Sequence, residues 1–181
     1  MSKEKEKKLL GEERRQWLLD YLKSSSDPVT GTALAKMSNV SRQVIVGDIT
    51  LLKARNEPII ATSQGYLYMR LENQPLVEKI IACRHNRSQA EQELNIIVDH
   101  GVTVKDVTVE HPVYGDLTAS IMVSNRKDVQ AFLKSIRKTN ASLLSELTSG
   151  LHLHTLTAID KQLILNAEKD LKAAGILVEE D

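Results

Sequence analysis

The sequence is poor in the features that mark secreted, disulfide-bonded and membrane proteins. Its 181 residues include one cysteine, Cys83, which excludes an internal disulfide. No apolar run approaches the roughly 18 residues that a membrane-spanning helix needs. Residues 1–8 mix positive and negative charges, without the apolar segment of a signal peptide. We therefore expect a cytoplasmic protein with no membrane partner.

Aromatic residues make up only 3% of the sequence, so leucine, isoleucine and valine must fill the core. The net charge is zero, but it is unevenly divided along the chain. Residues 1–72 hold 12 basic against 9 acidic side chains, whereas residues 73–181 hold 12 against 15. The basic excess of the first part is compatible with a polyanionic partner but does not establish one.

Residues 8–72 predict a winged helix-turn-helix domain. Apolar residues at positions 17, 18, 21 and 22 have helical spacing, and a short helix is expected around residues 32–37. Ser41 suits the N-cap of a third helix, from Arg42 to about Ala54. That helix is expected to turn Val44, Ile45, Ile49 and Leu52 inward. Pro58 ends it, and residues 59–69 favour a small hairpin.

In such a domain the helix after the turn enters the major groove of double-stranded DNA, and its first exposed residues meet base edges. Arginine pairs well with guanine and glutamine with adenine, which makes Arg42 and Gln43 candidate base readers. The other candidate DNA contacts are Ser41 and Val46 on the helix, and Thr62, Ser63, Gln64 and Tyr66 in the wing. A helix-turn-helix that binds protein instead of DNA is the alternative.

The segment from Val40 to Ile49 resembles the winged-helix module of the biotin repressor and its relatives. Gly47 is a departure, because glycine inside a helix costs about 1 kcal/mol relative to alanine. Either it allows a close approach to the helix backbone or it is simply tolerated.

Residues 75–179 predict a second, α+β domain, and the segment Asn73-Gln74-Pro75 marks its boundary with the first. The pattern β-α-β-β-α-β-α-β indicates an antiparallel-rich sheet with helices on one face. Within it, Ser88 and Glu91 form a possible capping box for the first helix. Residues 176–178 are predicted to form the last strand of the sheet.

All five histidines lie in this second domain. His152 and His154 alternate on a predicted strand, so both imidazoles point to one face and form half of a site for zinc, nickel, iron or copper. A solvent-facing pair is the alternative. His85 and Glu93 would lie about 12 Å apart on a continuous helix, so they can share a metal only if the His85 loop folds back. Spacing alone favours an exposed carboxylate for Glu93.

The two remaining histidines are at the ends of predicted elements. His111 ends a strand beside the turn from Pro112 to Asp116, where it can either meet a ligand or bond to the backbone. His100 is expected to end a helix and to favour the helix dipole, without a further role.

The sequence resembles the niacin-responsive transcriptional repressors that carry a C-terminal 3H (three-histidine) domain. The resemblance covers almost all of residues 8–179 and rests on the winged helix and on three short motifs, Cys83–Asn86, Glu110–Gly115 and Gly150–Thr155. It implies one divalent transition metal ion (Zn, Ni or Fe) per subunit, held by His85, Glu93, His152 and His154. It also implies nicotinic acid as corepressor, double-stranded operator DNA as partner, and regulation of niacin uptake or NAD biosynthesis genes.

The expected mechanism couples the two domains. Nicotinate offers a pyridine nitrogen and a carboxylate to the metal, and the rest of the ligand would contact His111 and Tyr114. Binding would then bias the geometry of two winged helices in a homodimer. The alternatives are a regulator that responds to the metal itself and a metal-dependent hydrolase fused to a DNA-binding domain. The sequence has no separate motif for a catalytic nucleophile and no phosphate-binding loop, so we expect that the protein is not an enzyme.

Overall fold

The computed structural model describes residues 10–69 and 76–179. The chain divides into two compact units, residues 1–72 and 73–181. The predicted boundary at residues 73–75 and the predicted domain starts at residues 8 and 75 lie outside the described residues. None of the described helices combines the length and hydrophobicity that crossing a bilayer requires.

The N-terminal unit contains three helices followed by a two-stranded hairpin. Its elements are α1 (Gly11–Ser24), α2 (Gly31–Met37), α3 (Arg42–Ala54), β1 (Ile59–Thr62) and β2 (Gly65–Tyr68). The Ser41 side chain accepts a hydrogen bond from the Val44 amide and caps α3, as predicted. One small core joins the three helices to β1, with Leu18, Leu34 and Ile45 fully buried.

The inward face of α3 differs from the prediction at one position. Val44 is 37% exposed, while Asp48 is buried beside Ile45 and Ile49. The Asp48 carboxylate accepts hydrogen bonds from Arg14 Nε at 2.5 Å and from Arg15 Nη1 at 3.2 Å. The core tolerates the Asp48 carboxylate because it is paired with arginine. Asp48 therefore occupies the inward position that the apolar spacing had predicted for Val44.

The C-terminal unit is an antiparallel four-stranded sheet with helices on one face, which confirms the predicted α+β class. Its elements are β3 (Val77–Arg84), a 3-10 helix (Arg87–Gln89), α4 (Ala90–Asp99), β4 (Thr103–His111), β5 (Gly115–Val123), α5 (Arg126–Thr139), a second 3-10 helix (Leu144–Thr148), β6 (Leu151–Ala158) and α6 (Lys161–Ala173). The strand order is β3-β6-β4-β5.

The core of this unit lies between the helices and one face of the sheet. Ile97 of α4, Val129 of α5 and Ile164 of α6 are all fully buried there, with Leu156 of β6. Along β6 alternate side chains are buried and more exposed, so the other face of the sheet carries no helix among the described residues.

Two details of this unit correct the sequence interpretation. The side chain of Asn86, the N-cap of the 3-10 helix before α4, accepts a hydrogen bond from the Ser88 amide, while the Glu91 carboxylate accepts one from Gln130. The capping box of Ser88 and Glu91 was therefore wrong. Residues 176–178 form only an isolated bridge, Leu177 to Cys83, because the chain leaves the sheet edge after two flanking hydrogen bonds.

Candidate functional site

Three elements bring four polar side chains into the interior of the C-terminal unit. His85 follows the end of β3, Glu93 lies in the first turn of α4, and His152 and His154 lie on β6. All four residues are buried, with exposures between 2% and 7%. Cys83 pairs with His152 in the β3–β6 ladder, so the register sets the end of β3 beside the two strand histidines.

The chain between His85 and Glu93 folds back. This is the condition under which the sequence allowed the two residues to share a metal. The 3-10 helix Arg87–Gln89 interrupts the path from β3 into α4, so the two residues do not share one helix. As a result His85 Nε2 lies 2.7 Å from Glu93 Oε2. The alternative of an exposed Glu93 is wrong, since its side chain is 3% exposed.

Glu93 is at the centre of the cluster. Its Oε1 lies 3.1 Å from His152 Nε2, and its Oε2 lies 3.4 Å from His154 Nε2. Ligand atoms of His85, Glu93 and His152 all lie within 4.8 Å of one another. The solvent-facing alternative for the histidine pair is also wrong, because both rings are turned towards this carboxylate.

Backbone carbonyls fix the orientation of all three imidazoles. The Nδ1 atoms lie 2.8 Å from Asn86 O for His85, 2.8 Å from Gly150 O for His152 and 2.7 Å from Asp106 O for His154. A carbonyl oxygen can only accept, so each Nδ1 carries the proton that it donates. The register shift in β4 between Val104 and Asp106 accompanies the last of these contacts.

The electrostatics of the cluster favour an ionised carboxylate among imidazoles. Burial raises the pKa of Glu93, but the charge of His154 and hydrogen bonds from the three histidines outweigh it, so its pKa lies well below the usual value. Burial lowers the pKa values of His85 and His154, yet Glu93 reverses the effect and raises both. The site therefore attracts positive charge.

A mainly apolar cavity of about 150 Å³ adjoins the cluster. Phe132 and Ile136 of α5 line one side, and Val107, Ala119 and Ile121 of the sheet line another. Residues 142–145, between α5 and β6, complete the lining.

The segment between α5 and β6 that lines this cavity was not predicted from the sequence. Arg87 holds it through hydrogen bonds to Ala141 O at 3.2 Å and to Glu146 Oε1 at 3.3 Å. The Glu146 carboxylate also accepts a hydrogen bond from the Leu143 amide at 2.8 Å. The 3-10 helix Leu144–Thr148 is too short to show periodicity, so no sequence signal indicated that this segment lines a cavity.

His111 and Tyr114 do not line the cavity. His111 Nδ1 accepts hydrogen bonds from the amides of Val113 and Tyr114, and Tyr114 is 74% exposed. His111 lies four residues along β4 from Val107, which is about 14 Å of strand. The backbone-bonding alternative describes His111 Nδ1 in this unit, and contact of His111 and Tyr114 with a ligand stays a prediction. His100 caps the end of α4 and contacts Asp170 at 2.8 Å.

The predicted DNA-facing residues of the N-terminal unit differ in exposure. Ser41, Arg42 and Gln43 are exposed at the start of α3, and Val46 is half-buried. In the wing, the Thr62 hydroxyl donates to Gly65 O and accepts from the Gln64 amide, so it stabilises the turn. Ser63, Gln64 and Tyr66 are half-buried.

Sequence reasoning missed the buried pair of Arg14 and Asp48. Asp48 lies between Ile45 and Ile49 on the apolar face of α3, and a charged residue in such a stripe is the signal that could have identified it. The pair holds α1 against α3 and so supports the exposed face.

Two family models match the chain. A 3H domain matches residues 78–180, and an HTH domain matches residues 14–67. A transcription repressor NadR of Bacillus subtilis (strain 168) is 58% identical over 177 residues, which cover 97% of this chain and 98% of that protein. A probable transcription repressor NiaR of Thermotoga maritima is 35% identical over 173 residues, covering 96% and 98%.

Proposed function

Because this chain belongs to the 3H-domain transcription repressors with an N-terminal helix-turn-helix, we propose that it represses niacin uptake or NAD biosynthesis genes in the cytoplasm. Nicotinic acid is the corepressor, and a divalent metal ion (Zn, Ni or Fe) completes its site. The N-terminal unit binds double-stranded operator DNA, and the active form is a homodimer.

The orientation of the three imidazoles is the main observation that supports a metal site. With the Nδ1 protons donated to backbone carbonyls, each ring can donate to Glu93 only if it is doubly protonated; neutral rings would instead direct three Nε2 lone pairs at a carboxylate that also only accepts. Such a buried set of acceptors needs either extra protons or a cation among them. Histidines that ligate metals commonly donate their other ring N–H to a backbone carbonyl, as all three do here.

His85, Glu93, His152 and His154 would hold the ion, and three nitrogens with one oxygen suit zinc, nickel or iron. A bound ion supplies positive charge and open coordination positions for an anionic or pyridine-type donor. The protein side of that site is the cavity beside Phe132. Roughly 150 Å³ of apolar space holds a benzene molecule in another protein, so this cavity suits one aromatic ring.

The DNA side of the proposal rests on α3. Arg42 and Gln43 are exposed at its start, where a helix seated in the major groove presents side chains to base edges. The Arg14–Asp48 pair and the core beneath α3 hold these side chains on a rigid element, which base reading needs.

A matched pair of variants tests the function. Glu93→Gln removes the central charge of the cluster, whereas Glu91→Gln makes the same change two residues away, outside the cluster. We expect Glu93→Gln to lower the affinity for zinc or nickel at least tenfold. We also expect it to abolish the effect of nicotinate on binding to DNA from the relevant promoters, while Glu91→Gln changes neither.

The same DNA-binding assay, repeated after chelation, separates the alternatives. Loss of the nicotinate response on chelation supports the proposal. A full response to metal without nicotinate would indicate a metal-responsive regulator. Stoichiometric metal and an intact nicotinate response in Glu93→Gln would contradict the proposed site.

A further inference from the structure

Gly47 lies near the middle of the face of α3 that is turned away from the hydrophobic core. The buried residues of this helix include Ile45, Asp48, Ile49 and Leu52. At 100° per residue, the centre of the opposite face falls close to Gln43, Gly47 and Thr50. All three are exposed.

The fold of the N-terminal unit gives no reason for a glycine at this position. Gly47 does not have a positive φ, α3 continues through it, and a Cβ built on it meets nothing within 4 Å. Gly65 in the same unit is different, because its φ is +136° and a Cβ there would lie 2.5 Å from the Val29 backbone. Alanine at position 47 would favour the folded state about fivefold.

Around Gly47 the side chains project little from the helix, so the backbone of α3 is accessible there. The Thr50 hydroxyl donates to Val46 O at 2.8 Å, so it is directed back at the helix backbone. Arg42 and Gln43 are exposed one turn earlier, at the end of the helix that first meets base edges. A partner that follows these two side chains along the helix comes next to the bare backbone at Gly47.

We propose that Gly47 is a specificity-determining residue, where the floor of the DNA major groove lies too close to α3 for any side chain. This inference rests on the proposed DNA binding by α3. The groove is about 12 Å wide, nearly the diameter of a helix with its side chains, so one missing side chain allows deeper seating. Deeper seating brings Arg42 and Gln43 within reach of base edges.

The test compares Gly47→Ala and Gly47→Ser with Gln16→Ala, which removes an uncharged side chain at an exposed position of α1. The probe is a duplex that the wild-type protein selects from a random-sequence pool. We expect both Gly47 variants to lose about tenfold or more in affinity, the size of one mismatched base pair. The dependence of affinity on salt should stay unchanged, because no phosphate contact is removed.

Stability provides the second readout. Gly47→Ala should raise the folding equilibrium constant of the N-terminal unit about fivefold while it weakens DNA binding. Gln16→Ala should leave DNA affinity unchanged. Opposite signs for stability and affinity in one variant cannot come from damage to the fold.

Two outcomes would overturn the inference, and they are distinguishable. If Gly47→Ala binds the duplex within twofold of the wild type while Arg42→Ala is weakened, α3 binds DNA but Gly47 does not set its depth. If the wild-type protein enriches no duplex, the proposed DNA binding itself fails, and this inference fails with it.

Discussion

Gly150 determines the placement of two of the cluster histidines. Its carbonyl oxygen accepts hydrogen bonds from His152 Nδ1 at 2.8 Å and from the His85 amide at 3.4 Å. Its φ is +90°, and a Cβ at this position would overlap the backbone carbonyl of His85. Only glycine therefore allows β6 to begin so close to the His85 loop.

Gly150→Ala should consequently weaken metal binding at least tenfold, because it displaces His85 and His152 together. Gly115→Ala is the matched control: its φ is +70°, but its Cβ would meet nothing within 4 Å. That variant should lose about 1–2 kcal/mol of stability through backbone strain and keep its metal affinity. Competition with a chromophoric chelator measures both affinities, and equal affinities would show that the close approach is unimportant.

The site was predictable from sequence only in part. Alternation on one strand places His152 and His154 together in any sheet, so that pair followed from spacing. Glu93 did not, because its contact with His85 depends on a 3-10 turn and on the Asn86 cap. The family resemblance identified His85 and Glu93 as ligands. Phe132 and residues 142–145 line the cavity through tertiary packing, which no local sequence pattern encodes.

At the scale of elements, α1 is attached to α3 by a buried ion pair. Arg14 is 8% exposed and Asp48 is 4% exposed, and two hydrogen bonds join them at 2.5 and 3.3 Å. Neither partner can leave alone without cost, because the other charge stays in a region of low dielectric constant. The orientation of α3 therefore depends on a polar contact as well as on its apolar stripe.

Asp48→Ala should lower the free energy of unfolding of the N-terminal unit by about 3–5 kcal/mol, since the Arg14 guanidinium stays buried after its carboxylate is removed. Asp20→Ala, at an exposed position of α1, should change it by about 0.5 kcal/mol or less. Urea unfolding followed by the fluorescence of Trp17, the single tryptophan, reports on this unit. Similar urea midpoints for the two variants would show that the Arg14–Asp48 pair makes no net contribution to stability.

Helices were the most predictable elements, and caps and short turns the least. The apolar spacing and the Ser41 cap located α3 from Arg42 to Ala54, as the structure has it. The predicted capping box of Ser88 and Glu91 was wrong because Asn86, two residues before Ser88, accepts the hydrogen bond of the Ser88 amide with its side chain. Residues 176–178 are as apolar as a strand, but only one residue pair completes a bridge.

At the scale of the whole molecule, the two kinds of chemistry are found in separate units. The histidine cluster and its cavity lie entirely within residues 76–179, and the exposed residues of α3 lie within residues 10–69. An effector at the cluster can alter DNA binding only if it binds one arrangement of the protein better than another. A dimer supplies such an arrangement, because the spacing of two α3 helices must match two half-sites.

We expect this dimer to form through the face of the sheet opposite the helices. Ile80 is 61% exposed, Leu153 is 40% exposed and Leu151 is 38% exposed. All three lie on β3 and β6, whose register pairs Ala82 with Leu153 and Arg84 with Leu151, so they share one face. A second copy of this chain offers the same apolar face, as a two-fold interface requires.

Ile80→Asp should therefore shift the protein from dimer to monomer at micromolar concentration, because it places an uncompensated charge in the apolar interface. Ile159→Asp is the matched control, since Ile159 is 72% exposed in the bend between β6 and α6 and lies outside the strands. Sedimentation velocity with metal and nicotinate present measures both. A wild-type monomer under these conditions would rule out the homodimer, while a dimer in Ile80→Asp would place the interface elsewhere. If the face is the interface, Ile80→Asp should also lose operator affinity and keep its metal, because the cluster lies on the other side of the sheet.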